Sequence, residues 1–365
     1  MPRSGPPEEV LAGTCRWYPR VTSWLGATLL AATIPIVSGR VTAKADQDVP
    51  ETLTLTVPRW AAPAAGSDVI DWRPGKNARH PLARYGQRLD VTVIVESLAT
   101  GTKYETRIGR FLIRDWEDDD SGTVSVSADG LLKLAETDKL GRAMSPVGSL
   151  ASEARRLLPA GMGVSFDTSL EDRACPRGMA WSDDRLSALQ EIASAWPALL
   201  RTDEWGQFQF RAPLPDVPVP VLEYKDGVGG TLIGAPMSDT REGVYNRVIA
   251  SSSNSDVADV QASASVTAGP MNVRGDYGVV TKKWSSPLIT DRRSAERSAQ
   301  TMRDNSIRAA QTVPVRIAPD PRPDLDDAVV VKRGGNTDLW GWITGYDMPL
   351  TQADGDMRID VGVAA

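Results

Sequence analysis

Residues 181–210, WSDDRLSALQEIASAWPALLRTDEWGQFQF, decide how the rest of the chain is read. Leu186, Leu189, Ile192, Ala193 and Trp196 recur at helical spacing. Ser182 offers a cap, with Asp183 and Asp184 in the first turn, and Pro197 stands where the pattern stops. This predicts one short amphipathic helix with Trp196 as its structural anchor. Asp203-Glu204-Trp205-Gly206 then reads as a turn, and residues 207–210 alternate as a half-buried strand. Helix and hairpin make a compact joint. Because β-rich sequence lies on both sides, the joint is expected to fix two halves of the molecule relative to each other. The plainer alternative is an ordinary surface helix on one continuous domain.

Upstream, residues 40–45, 51–57, 89–96, 104–116 and 123–128 alternate or carry β-branched runs, which predicts a small barrel or sandwich. Residues 61–85, rich in Pro, Gly and Ala, read as a long outer loop anchored by Trp72. From 140 to 212 the period becomes helical. Ser145 and Pro146 start a helix whose face is Val147, Leu150, Ala151, Ala154, Leu157 and Leu158, and Pro159 with Gly161 ends it. PLPDVPVPV, residues 213–221, is an extended linker, since each Pro fixes its own φ and restricts its neighbour. Strands return at 244–251, 279–283, 313–318, 328–332, 339–346 and 357–363. Between them, Thr290 and Asp291 open a helix reaching about 310, with Ala295, Ala299, Met302, Ile307 and Ala310 as a narrow stripe suited to lying on a sheet. Residues 88–126 and 327–363 share an order of strands and turns, an internal echo.

With 365 residues and 41% hydrophobic content, the chain can bury two or three cores. A net charge of −6 without basic stripes argues against nucleic acid or an anionic membrane as the main partner. Cys15 and Cys175 fit no metal or redox spacing and read as reduced small hydrophobes. Residues 24–37, WLGATLLAATIPIV, mimic a signal-peptide core but contain Pro35 and are too short to span a bilayer. They read as a buried strand pair.

Chemistry is sparse in the sequence. A single histidine, His80 in a loop, excludes most zinc sites and most His-based triads. The acidic runs at 117–120, 324–327 and 354–356 lack calcium-loop spacing and read as solvated turns, and Gly334-Gly335 and residues 227–234 lack phosphate-loop chemistry. No catalytic residue, cofactor site or metal site is expected.

The order of short motifs resembles the hub proteins of phage tail tips, in particular the minor tail proteins of actinobacterial siphophages. Ile34-Pro35-Ile36 with Ser38-Gly39, Pro81-Leu82 with Tyr85-Gly86, and Gly109–Ile113 followed by Val124, Val126 and Ala128-Asp129 carry it in the first half. Ser187-Ala188-Leu189 with Ile192-Ala193, Tyr245-Asn246-Arg247-Val248, and Leu325-Asp326-Asp327-Ala328-Val329 with residues 341–345 carry it in the second. The resemblance implies a mainly β α+β fold like contractile-tail hubs and VgrG-type spike bases. Two related β-barrel domains, 1–139 and 222–365, would flank the helical insertion 140–212 and the linker 213–221. It also implies a homotrimer closing the tail tube and meeting tube proteins, the tape-measure C-terminus, and fibres or spikes, in a virion assembled in the host cytoplasm. Since the chain stops at Ala365 after its last barrel strand, wall-degrading activity is not implied. Strands with Leu89, Val91, Val93 and Val95, and with Val329 and Val331, are the expected edges between subunits. The competing expectation is a secreted two-domain β protein that binds or cleaves cell-wall polysaccharide through Trp72, Trp116, Trp205 or Trp340.

Overall fold

The computed structural model describes residues 2–118, 120, 122–182, 184–236, 244–254, 260–334 and 337–363. Asp119, Asp183, Gly335 and Ala365, named above, lie outside the described residues, as does the side chain of Ala310. The chain is mainly β: the described residues form 21 strands and five α-helices. Alternation sets the faces. In Glu51–Pro58 the residues Leu53, Leu55 and Val57 point inward, while Thr52, Thr54 and Thr56 face outward or sit half-buried.

Six strands make the first lobe: Cys15–Leu25, Ser38–Lys44, Glu51–Pro58, Gln87–Ser97, Lys103–Asp118 and Thr123–Gly130. Numbered one to six along the chain, they stand in the sheet as 2-3-6-5-4-1. Leu222–Lys225, Leu232–Gly234, Thr312–Ile317, Ala328–Lys332, Leu339–Pro349 and Met357–Val363 repeat that order in the second lobe. Even the bulges correspond: the pairing of strands five and six slips between Ile113 and Asp115 in one lobe and between Ile343 and Gly345 in the other. The sequence echo is therefore a duplicated topology. One difference stands out, because strand one runs antiparallel to strand four in the first lobe and parallel to it in the second.

The lobes are parts of one 13-stranded sheet. Ser38–Lys44 pairs with Leu339–Pro349, from Lys44 opposite Gly345 to Arg40 opposite Pro349. Val41, Leu55 and Val126 share one core with Val315, Ile343 and Ile359.

The insertion has its own core. Helix Arg185–Ala195 is capped by the Asp184 carboxylate, which accepts from Ser187 N at 3.0 Å, rather than by Ser182. Trp196 is 5% exposed, donates from Nε1 to Glu171 O at 2.8 Å, and packs on Phe166 and Phe210. Leu131 and Leu132 already belong to this core, ahead of residue 140. The preceding helix begins only at Leu150, since Ser149 caps it and the Asp172 carboxylate takes Ala151 N. Val147, expected on its buried face, is 83% exposed.

Residues 24–37 also depart from expectation. Thr28–Ala31 turns back on the end of the first strand as an edge hairpin with Leu29 45% exposed, so the pair is not buried. Helix Arg292–Ala310 lies chiefly on a separate three-stranded sheet, Arg247–Ser252, Gln261–Ser265 and Thr281–Ser286, and only its last turn meets the second lobe, where the Arg308 guanidinium lies 4.5 Å from the Trp342 ring centre. Small residues explain the choice, because Ala295 and Ala299 meet Val248, Ala250, Ala262 and Ala264 in a core of their own.

Truncating Trp196 to Ala is expected to cost ~3–5 kcal/mol by cavity formation. Thermal unfolding of the variant checks this, and an unchanged melting curve would contradict the packing role.

Candidate functional site

Strands Leu199–Thr202 and Phe208–Arg211 put Leu200, Phe208 and Phe210 into the insertion core, and alternation turns Arg201 and Arg211 toward the lobes. Arg201 donates from Nε and Nη2 to the Asp326 carboxylate at 2.7 and 3.1 Å, with both side chains 10% exposed. Arg211 donates to Asp324 at 3.1 Å and to the Leu325 carbonyl at 3.2 Å. Arg3 enters from the N-terminal segment and donates to Asp324 at 2.8 Å, to the Tyr346 hydroxyl at 3.0 Å and to the Pro323 carbonyl. Thr202 Oγ1 donates to Glu51 at 2.7 Å. The cluster thus ties the N-terminal segment, the first lobe, the insertion and the second lobe together.

Burial drives the titration of these groups. It pushes Glu51 up, a rise that the Thr202 hydrogen bond and the nearby arginines only reduce. Asp324 is equally buried, but the charges of Arg3 and Arg211 outweigh desolvation and hold it below the usual carboxylate range. Asp326 adopts φ +72°, a left-handed conformation costly outside glycine, and its N–H donates to Ile343 O at 2.9 Å. The run 324–327 is therefore not a solvated turn: the three arginines supply the donors that let these acids be buried. The run 354–356 is likewise structural. Asp354 accepts from Gly39 N and Thr351 N, both at 3.0 Å, and Asp356 pairs with Arg316. In the 117–120 run, Asp118 pairs with Arg73 at 3.3 Å and with Arg59 at 3.8 Å.

The expected edge strands are interior. Leu89, Val91, Val93 and Val95 are fully buried, and Gln87–Ser97 is hydrogen-bonded on both sides, to Cys15–Leu25 and Lys103–Asp118. Val329 and Val331 are fully buried too, and Ala328–Lys332 lies between Leu222–Lys225 and Leu339–Pro349. Neither strand offers an open edge for pairing between subunits. Alternate valines mark one buried face of a strand and carry no information about its two hydrogen-bonding edges.

His80 has both ring nitrogens committed to its loop. Nδ1 accepts from Leu82 N at 3.1 Å, so Nε2 carries the proton toward Asp71 O at 3.3 Å. Burial holds its pKa below the ordinary value. Trp72 is fully buried and donates to Ala61 O, which removes it from any glycan-binding face, and Trp116 is half-buried. Trp205 and Trp340 are exposed, with the Arg107 guanidinium lying 4.2 Å from the Trp205 ring centre. Both cysteines are free, and burial pushes the Cys175 thiol up to about 12. Among the described residues no group of acidic, His and Cys side chains is arranged to hold a metal ion, and no helix is long and apolar enough to cross a membrane.

No protein-family model and no curated protein sequence matches the chain. Solved structures do match it. It is similar to the tail protein from Neisseria meningitidis MC58, with a TM-score of 0.64 at 9% identity over 94% of this chain and 96% of that one. The 43 kDa tail protein of prophage MuSo2 from Shewanella oneidensis gives 0.58 at 14% identity over 94% and 98%. Prophage tail protein gp18 from Listeria monocytogenes gives 0.52 at 8% identity over 93% and 94%. A chain of the Francisella PdpA–VgrG complex matches at 0.51 and 9% identity, over 96% of this chain and 58% of that one. The fold is that of these tail proteins, matched along nearly the whole length of the chain.

Two outcomes follow for the site. Replacing Arg201 by Met strands a buried carboxylate and is expected to cost ~3–5 kcal/mol. Replacing Arg316, whose ion pair with Asp356 is exposed, should cost under about 1 kcal/mol. Urea midpoints of the two variants compare them, and equal losses would contradict the role given to the cluster. For His80, above about pH 6.5 the folded and unfolded chains are both neutral at this ring. Below that pH the unfolded chain takes up a proton that the folded loop resists, so stability falls as pH falls. The sole imidazole makes an NMR titration unambiguous, and a midpoint at or above 6.5 would contradict this reading.

Proposed function

We propose that the chain is a structural tail protein of a phage or a tail-like particle, acting as a trimeric hub that closes the tail tube at its tip. One observation carries the reading: correspondence with tail proteins along nearly the full length of both chains, at a TM-score of 0.64. The repeated 2-3-6-5-4-1 strand order supports the adapter role. Three copies would present six similar lobes around one axis, matching a six-fold tube to a three-fold tip. The partners on this reading are tube proteins and the tape-measure C-terminus above, and fibres or spikes below, in a virion assembled in the host cytoplasm. Catalysis has no part in it, since His80 serves its own loop.

Native mass spectrometry followed by an electron-microscopy reconstruction of an assembled tip tests the proposal. A trimer with both lobes at one radius is expected. A monomer, a two-fold assembly or lobes at different radii would defeat the adapter model.

A further inference from the structure

Among the strands that keep a side open, two carry opposite charge. Thr281–Ser286 is bonded only to Arg247–Ser252, in parallel. Arg247 N donates to Val280 O at one end of that ladder, and Ser253 N donates to Ser286 O at the other. A parallel ladder engages alternate residues, so the backbone groups of Thr281, Lys283 and Ser285 are directed away from the sheet, and all three residues are exposed. The second open side is on Lys103–Asp118. Its pairing with Gln87–Ser97 stops at Leu112 opposite Arg88, while Asp115 to Asp118 continue against Ser127 to Val124 alone. Asp115 and Glu117 there are exposed. Among the described residues no other backbone bond closes either side.

We propose that these two edges pair with each other between copies of this chain, the Thr281–Ser286 strand of one copy against the 113–118 stretch of the next. The proposal rests on the ring-forming hub reading above. Lys282 and Lys283 lie on the first edge, Lys282 with its ammonium 5.6 Å from the Tyr245 ring centre, and the second edge carries Asp115, Glu117 and Asp118 against Arg114, which pairs with Asp115 at 2.8 Å. The wider surface around the first edge agrees in sign: residues 244–310 hold nine Lys and Arg against six Asp and Glu, in a chain with 41 against 47. Strand addition satisfies backbone groups on both sides, and opposite charges fix which edges meet. Because the two edges are different surfaces, the contact is head-to-tail, the kind that closes into a ring when the rotation permits. Lysines on an open edge also occur simply as protection against aggregation, and a charge reversal separates the two roles.

Sedimentation velocity on the full chain at micromolar concentration is the test. The unaltered chain is expected to sediment as a trimer. Lys282→Glu with Lys283→Glu should lose the trimer to monomer with an unchanged melting curve, and adding Asp115→Lys and Glu117→Lys to the same chain should restore it. Lys283→Pro, which removes an outward N–H and leaves the inward ladder intact, should also yield monomer. Trimers from both the Lys→Glu and the Lys→Pro variants would overturn this interface while leaving the hub reading standing. An unaltered chain that is monomeric would overturn the hub reading, and this interface with it.

Discussion

The seating of the insertion and the N-terminal segment on the lobes depends on burying charge at one point. Arg3, Arg201 and Arg211 meet Glu51, Asp324 and Asp326 where lobes, insertion and N-terminal segment converge. Taking such groups out of water is expensive, and hydrogen-bonded partners are what make it tolerable. An apolar contact of the same size would tolerate sliding, since dispersion has no preferred direction. The two parallel hydrogen bonds from Arg201 to Asp326 do not, because the guanidinium fork fits a carboxylate in one plane. The cluster therefore sets the orientation of the insertion on the lobes, and the apolar cores supply most of the cohesion.

Around that point the architecture is economical. One six-stranded pattern is used twice, and the copies are welded through Ser38–Lys44 and Leu339–Pro349 into a continuous ladder. Turning one lobe against the other would break this ladder along with the core that the lobes share. The small sheet under Arg292–Ala310 is different, with a separate core of Val and Ala and an open edge. The body is held by a shared ladder and core, and the open edge of Thr281–Ser286 stands on the smaller unit.

Much of this was legible in the chain. The helix at 185–195, the Trp196 anchor position, the hairpin after it and the echo between 88–126 and 327–363 all follow from apolar period and turn residues, which are local properties. Sequence reasoning failed where a residue's state is decided by something distant. The acids at 324–327 look like any surface turn until Arg3 and Arg211 arrive from elsewhere in the chain. No local signal marked Arg201, since a charge alternating with Leu200 and Thr202 in a strand ordinarily faces water. The valines at 91, 93, 95, 329 and 331 mark strands but cannot say whether a neighbour sits on each side.

The position of Arg3 has a consequence for how the chain matures. Its acceptors, Pro323, Asp324 and Tyr346, are translated more than three hundred residues after it. Domains of a growing chain fold from the N-terminal side as they emerge. The first lobe can gather its own strands during translation, but Arg3 must wait, solvated, until residues 323–346 leave the ribosome. Locking of the joint is thereby tied to the synthesis of that segment, so a product truncated before it cannot close the charge cluster.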